Sequence, residues 1–153
     1  MVHLFQNLWL GSAMVLVITL VHFAGLTLLT ALVRHPSLHH DSGIIPVWRQ
    51  GMAILAVVLG LFLAHTIEIW LCAILYMALG QFSSLEEALY FSTSTFTTVG
   101  FGDVVLVEWR MLAAIESAAG FLMIGWSTAF LVSLTSRLRI LEAVFESHSG
   151  SKD

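Results

Sequence analysis

Polar residues in this chain are gathered into a few short stretches. Between them lie apolar runs too long to be the buried stripe of a soluble helix. Three such runs cover about 8–33, 52–79 and 111–135. Each is as long as the roughly 20 residues a helix needs to cross a ~30 Å hydrocarbon core, so three membrane-spanning helices are predicted. The stretch 84–97 is shorter and rich in hydroxyls, which predicts a helix that enters the membrane without crossing it. Ser83 and Ser84, with Glu86 and Glu87 three residues on from each, are overlapping capping-box signals for its start. The segment 34–49, with Pro36, His39, His40, Asp41, Gly43 and Pro46, reads as a polar turn between hairpinned helices, its histidines solvated. The expected fold class is an all-α membrane protein with three transmembrane helices and one re-entrant helix.

Composition strengthens this reading. Of the 153 residues, 58% are hydrophobic and 10% charged, more apolar surface than one soluble core of this size hides. The formal charge is −4 and there is no basic run, so a nucleic-acid partner is not expected. Cys72 is the single cysteine, which excludes an internal disulfide and a cysteine metal cluster and leaves it as a packing residue. The first run lacks a basic leader and exceeds a secretory core in length, so it reads as a retained helix. It carries no arginine ladder, which argues against voltage sensing. Arg34, Arg49, Arg137, Arg139 and Lys152 fall on one predicted side, and Arg110 alone on the other. The positive-inside rule then puts the N-terminus and the re-entrant segment outside a cell membrane and the C-terminus in the cytoplasm.

The chemistry concentrates in Thr97-Thr98-Val99-Gly100-Phe101-Gly102-Asp103. A dehydrated cation needs oxygen ligands in place of water, and backbone carbonyls turned toward one axis can supply them. Turning successive carbonyls to one side requires a backbone of alternating hand, and Gly100 and Gly102 reach positive φ at little steric cost. This string, following a short helix between two spans, resembles the pore signature of the potassium channel superfamily in its short two-helix-pore branch. The resemblance covers about 52–139 and leaves the first span outside it. It implies K+ ligands in the carbonyls of Thr98, Val99, Gly100 and Phe101, with Gly102 completing the filter and the Thr98 hydroxyl at its inner end. Thr97, Asp103, Glu116 and Ser94 become filter supports. Many members carry Tyr at the position of Phe101 and Trp-Trp at Tyr90-Phe91, so two hydrogen-bonding groups that brace the filter are missing here.

The same resemblance assigns the third span as the inner helix, with a hinge at Gly120 and a cavity face at Phe121, Ile124 and Thr128. Close packing is the alternative role for Gly120. Beyond the membrane, Leu134, Leu138, Leu141 and Phe145 form a heptad-like stripe, read as a short cytoplasmic bundle or else an amphipathic surface helix. His22, His65, Glu68 and Glu116 lie inside spans, where ionisable groups face protein or water. His65 and Glu68 are expected to pair, two ligands being few for a metal. Glu116 is expected to hydrogen-bond behind the re-entrant helix, to Ser94.

The expected units are 1–49 (first span and loop), 50–139 (pore domain) and 140–153 (tail), and no sensing domain is expected. The reading is a passive, potassium-selective channel subunit that assembles with three further copies of itself in lipid, uses no cofactor beyond permeant K+ and catalyses nothing. A weakly selective cation channel and a non-conducting regulatory subunit are the alternatives.

Overall fold

The computed structural model describes residues 2–33 and 47–149, with side chains described over 4–33 and 48–136. The expectations for Arg34, Pro36, His39, His40, Asp41, Gly43 and Pro46, for the side chains of Arg137, Leu138, Arg139, Leu141 and Phe145, and for Lys152 lie outside the described residues. Four helices follow one another: α1 (Val2–Val33), α2 (Val47–Ala78), α3 (Leu85–Phe96) and α4 (Arg110–Ser149). No strand occurs among the described residues. Three of these helices are long and apolar enough to cross a membrane, over Leu4–Val33, Trp48–Ala78 and Arg110–Ser136. The protein is an all-α membrane protein.

Helix α1 lies against both α2 and α4, and α3 is held between α2 and α4. One core surrounds α3 and joins Ile18, Cys72, Tyr76, Phe91, Phe96, Leu112 and Met123. A second, toward the other end of the spans, joins Leu26, Leu29, Val57 and Leu61. Leu16, Leu20, Phe23, Leu28, Phe62 and Leu63 are exposed, which would be costly in water and is expected of a surface solvated by lipid.

Lipid tails are as apolar as leucine, so interhelical packing and hydrogen bonds must supply the association that water would otherwise drive. Among the described residues, no buried side-chain nitrogen or oxygen lacks a hydrogen-bond partner. The hydroxyls of Thr27, Thr30, Thr66 and Thr128 donate to the carbonyls of Phe23, Leu26, Phe62 and Ile124, one turn back in their own helices. Asn7 works between helices. Its Oδ1 accepts from Leu112 N at 3.0 Å, covering an amide in the first turn of α4, and its Nδ2 donates to Glu108 O at 3.0 Å. The N-terminal end of α1 therefore shares a side with the segment that follows the Thr97–Asp103 string.

Candidate functional site

Helix α3 begins where one of the two overlapping signals predicts. Ser84 is extended at φ −129°, ψ 148°, and its hydroxyl accepts from Glu87 N. Glu87 in turn accepts from the Ser83 hydroxyl at 3.4 Å, and both acidic residues of the first turn sit at the positive end of the helix dipole. Ala88, Phe91, Ser92, Ser94 and Phe96 form its buried face. The helix ends at Thr97, whose amide turns back to Thr93 O and Thr95 O.

From there the backbone changes hand at every second residue. Thr98, Gly100 and Gly102 have φ of 63°, 50° and 81°, whereas Val99 and Phe101 do not enter the positive region. Such alternation turns successive carbonyls to the same side of the strand. A Cβ built on Gly100 or Gly102 meets nothing within 4 Å in the chain, so the requirement for glycine there is conformational. Thr98 is different: a β-branched residue at positive φ is held there against a local cost of ~1–3 kcal/mol. Its amide donates to Thr95 O at 3.0 Å, and Gly100 N donates to Ser94 O at 2.9 Å, which fastens the string to the end of α3. Val99 and Phe101 have exposed side chains in the single chain.

The bracing differs from the sequence expectation. Tyr90 donates its hydroxyl to Asp103 Oδ2 at 2.8 Å, and its ring stacks on Phe101 at 5.9 Å with planes 8° apart. Tyr90 thus ties the outer end of the string to α3, a role that the replacement of Trp had suggested was lost. The hydrogen bond to Asp103 pushes the Tyr90 phenol above its ordinary value. Asp103 Oδ1 also accepts from Val104 N at 3.1 Å.

Behind α3, Glu116 is fully buried and accepts from Tyr76 OH at 2.6 Å and from Ser92 Oγ at 2.6 Å. Ser94, the expected partner, instead donates its hydroxyl to Phe91 O at 3.0 Å. At 100° per residue, Ser92 and Ser94 point about 160° apart around the helix, and Ser92 is the one that faces Glu116 of α4. Ser94 still supports the string, through the carbonyl that receives Gly100 N. Ser92 also reaches Ile69 O at 3.0 Å, so α2, α3 and α4 meet at one polar knot.

Gly120 lies where α4 crosses the end of α3. A Cβ there would fall 2.0 Å from Phe96 O, which gives this glycine a close-packing role in an unbroken helix. Phe121, Ile124 and Thr128 are exposed on one face of α4, and the Thr128 proton is directed to Ile124 O, leaving its lone pairs outward.

A second polar cluster lies deeper in the spans. The expected His65–Glu68 pair forms, with His65 Nδ1 2.9 Å from Glu68 Oε2, but His22 of α1 joins it, Nδ1 2.9 Å from Oε1. Ser127 Oγ on α4 lies 3.0 Å from His65 Nε2 and 3.4 Å from His22 Nε2. The His65 ring also stands 5.8 Å from Phe96, the last residue of α3. Ionisable residues in two hairpinned spans were the available sign of this contact. Nothing local marked Ser127, Asn7, Tyr76 or Ser92.

No curated protein and no solved structure matches this chain. The ion channel family does, over residues 52–137, which begin in α2, contain α3 and the whole alternating string, and end in α4. With a membrane-spanning pair, a short helix between them and that string all inside the matched residues, which make up more than half of the chain, the protein belongs to the ion channel family.

Proposed function

We propose that four copies of this chain surround one axis in a cell membrane and conduct potassium selectively and passively. The observation that carries this reading is the alternation of positive φ at Thr98, Gly100 and Gly102. Carbonyls of Thr98, Val99, Gly100 and Phe101 from four chains would form successive rings of oxygens. Each ring replaces part of the hydration shell that potassium loses on entering. The Thr98 hydroxyl adds the innermost oxygen. Gly102 and Asp103 form the outer mouth, steadied by Tyr90.

Closed fourfold symmetry follows from the chemistry, because one string gives one wall of a filter. Helix α3 ends at the start of the string, so its partly negative carbonyl end favours a cation in the cavity below. Phe121, Ile124 and Thr128 would line that cavity, and their exposure in the single chain is consistent with it. The N-terminus and the string lie outside, given the distribution of Arg and Lys.

The reading is tested at Gly100. An alanine there must hold a positive φ at a cost of roughly 1 kcal/mol or more, repeated in four chains. The Gly100→Ala protein should insert and remain helical yet lose potassium selectivity or conduction in mixed potassium and sodium. Ordinary conductance with unchanged selectivity would defeat the assignment.

A further inference from the structure

We propose that His22, His65 and Glu68 form an intramembrane site for a divalent d-block cation of the zinc class. Three ligand-type atoms, one from each residue, lie within 4.8 Å of one another. The two imidazole Nδ1 atoms flank the carboxylate, each 2.9 Å from one of its oxygens. Ligands at zinc's usual bond length of ~2.0–2.1 Å stand about 3.3 Å apart in a tetrahedron, so the two 2.9 Å contacts would open slightly and the remaining separation, at most 4.8 Å, would close around an ion. Two imidazoles and one carboxylate form a mixed nitrogen and oxygen set, which suits zinc, cobalt or nickel and not the oxygen-seeking magnesium or calcium. Three protein ligands leave a fourth position for water.

The hydrogen-bond inventory accommodates the ion as well. Without an ion, both Nδ1–H groups donate to Glu68, and both Nε2 atoms then face the single Ser127 hydroxyl. That hydroxyl has one proton, so both nitrogens are satisfied only when one ring carries an extra proton and donates to the serine. The cluster then holds three ring protons and is neutral with Glu68 ionised. With the ion on both Nδ1 atoms, each ring keeps one proton on Nε2 and donates it to a lone pair of Ser127 Oγ. Metal-bound histidine usually directs its second N–H to such a partner. One proton leaves as the ion binds, and the serine proton is freed for a helix carbonyl.

Burial and position define what the site does. His22 and Glu68 side chains are fully buried, and His65 retains 20% exposure at the edge of the cluster. Trp126 beside His22 and Phe96 beside His65 wall the cluster with apolar rings. His22 belongs to α1, outside the residues that match the ion channel family. The ion would therefore clamp the additional helix to α2, with Ser127 of α4 as its outer partner, and so fasten α1 to the pore-forming part of the chain.

The test uses the full-length protein in detergent, stripped with a chelator and titrated with Co2+. Expected is a visible absorption band of four-coordinate cobalt that saturates at one equivalent per chain and is displaced by Zn2+. His65→Gln, at the partly exposed position, should abolish the band and lower Zn2+ affinity by at least tenfold. Ser127→Ala should weaken Zn2+ binding about 10–100-fold, as loss of an outer partner does. His39→Gln with His40→Gln should leave the band unchanged. Absence of the band at excess cobalt would overturn the proposal, as would an equal band in wild type and His65→Gln, or its loss with the His39 and His40 substitutions alone.

Discussion

Gly120→Ala puts the junction between α4 and α3 to a direct test. Alanine is the better helix former by ~1 kcal/mol, so an open position in this helix would gain stability from the change. Here the added Cβ falls 2.0 Å from Phe96 O and 2.8 Å from Phe96 C, and ordinary contact begins at 3.4 Å, a deficit of 3.4 − 2.0 = 1.4 Å. The two nearest obstructing atoms are backbone, so no rotamer change relieves them. Overpacking of this kind costs ~1–3 kcal/mol and more where backbone must move, which exceeds the propensity gain. The net effect should be destabilising by about 1–2 kcal/mol per chain. The displaced carbonyl immediately precedes Thr97 and Thr98, so selectivity should suffer along with stability. Gly125→Ala is the matched control, because its Cβ meets nothing within 4 Å in the chain. Thermal unfolding of both variants in detergent, followed by helical circular dichroism, reads the difference. A Gly120→Ala protein as stable as wild type, altered only in how often it opens, would refute the packing argument and restore the hinge.

Three further outcomes follow from the polar contacts. Asn7→Ala exposes an unpaired amide in the first turn of α4 and should lower stability by about 1 kcal/mol, read as a reduced unfolding temperature. Glu116→Leu strands the Tyr76 hydroxyl in a dry interior, at ~1–3 kcal/mol. Glu116→Gln can still accept from Tyr76 and donate to Ser92, so denaturant unfolding should rank glutamine near wild type and leucine well below, and equal stabilities would contradict the knot. For Tyr90 the folded-state phenol is raised above its unfolded value, so the Tyr90–Asp103 link contributes fully below the ordinary phenol range and is lost as pH rises through the raised value. The sequence has two tyrosines, so the ultraviolet titration of wild type minus that of Tyr90→Phe isolates this phenol, and a midpoint at the ordinary value would remove the link.

Much of this architecture was legible from local pattern. The span lengths, the Ser84 cap and the two glycines of the string each follow from a rule that acts over a few residues. The pattern marks Thr98 as an oxygen ligand but not its positive φ, because a β-branched side chain gives no local reason for it and the hydrogen bonds to the end of α3 hold it there. The sequence locates Glu116 behind α3 but does not choose between Ser92 and Ser94, because that needs the rotation of α3 about its axis. His22 was visible as an ionisable residue in a span. Its meeting with Glu68 depends on the relative depth of two helices, which composition does not encode. Asn7 contacts α4 from 105 residues away, where no periodicity reaches.

The central claim is selective potassium conduction, and the reversal potential of the purified protein tests it most directly. Protein reconstituted into a planar bilayer or liposomes, with potassium on one side and sodium on the other, should show currents that reverse close to the potassium equilibrium potential and scarcely move when the sodium gradient is changed. Currents that reverse midway between the potassium and sodium potentials, or no potassium current from well-folded protein, would contradict the account.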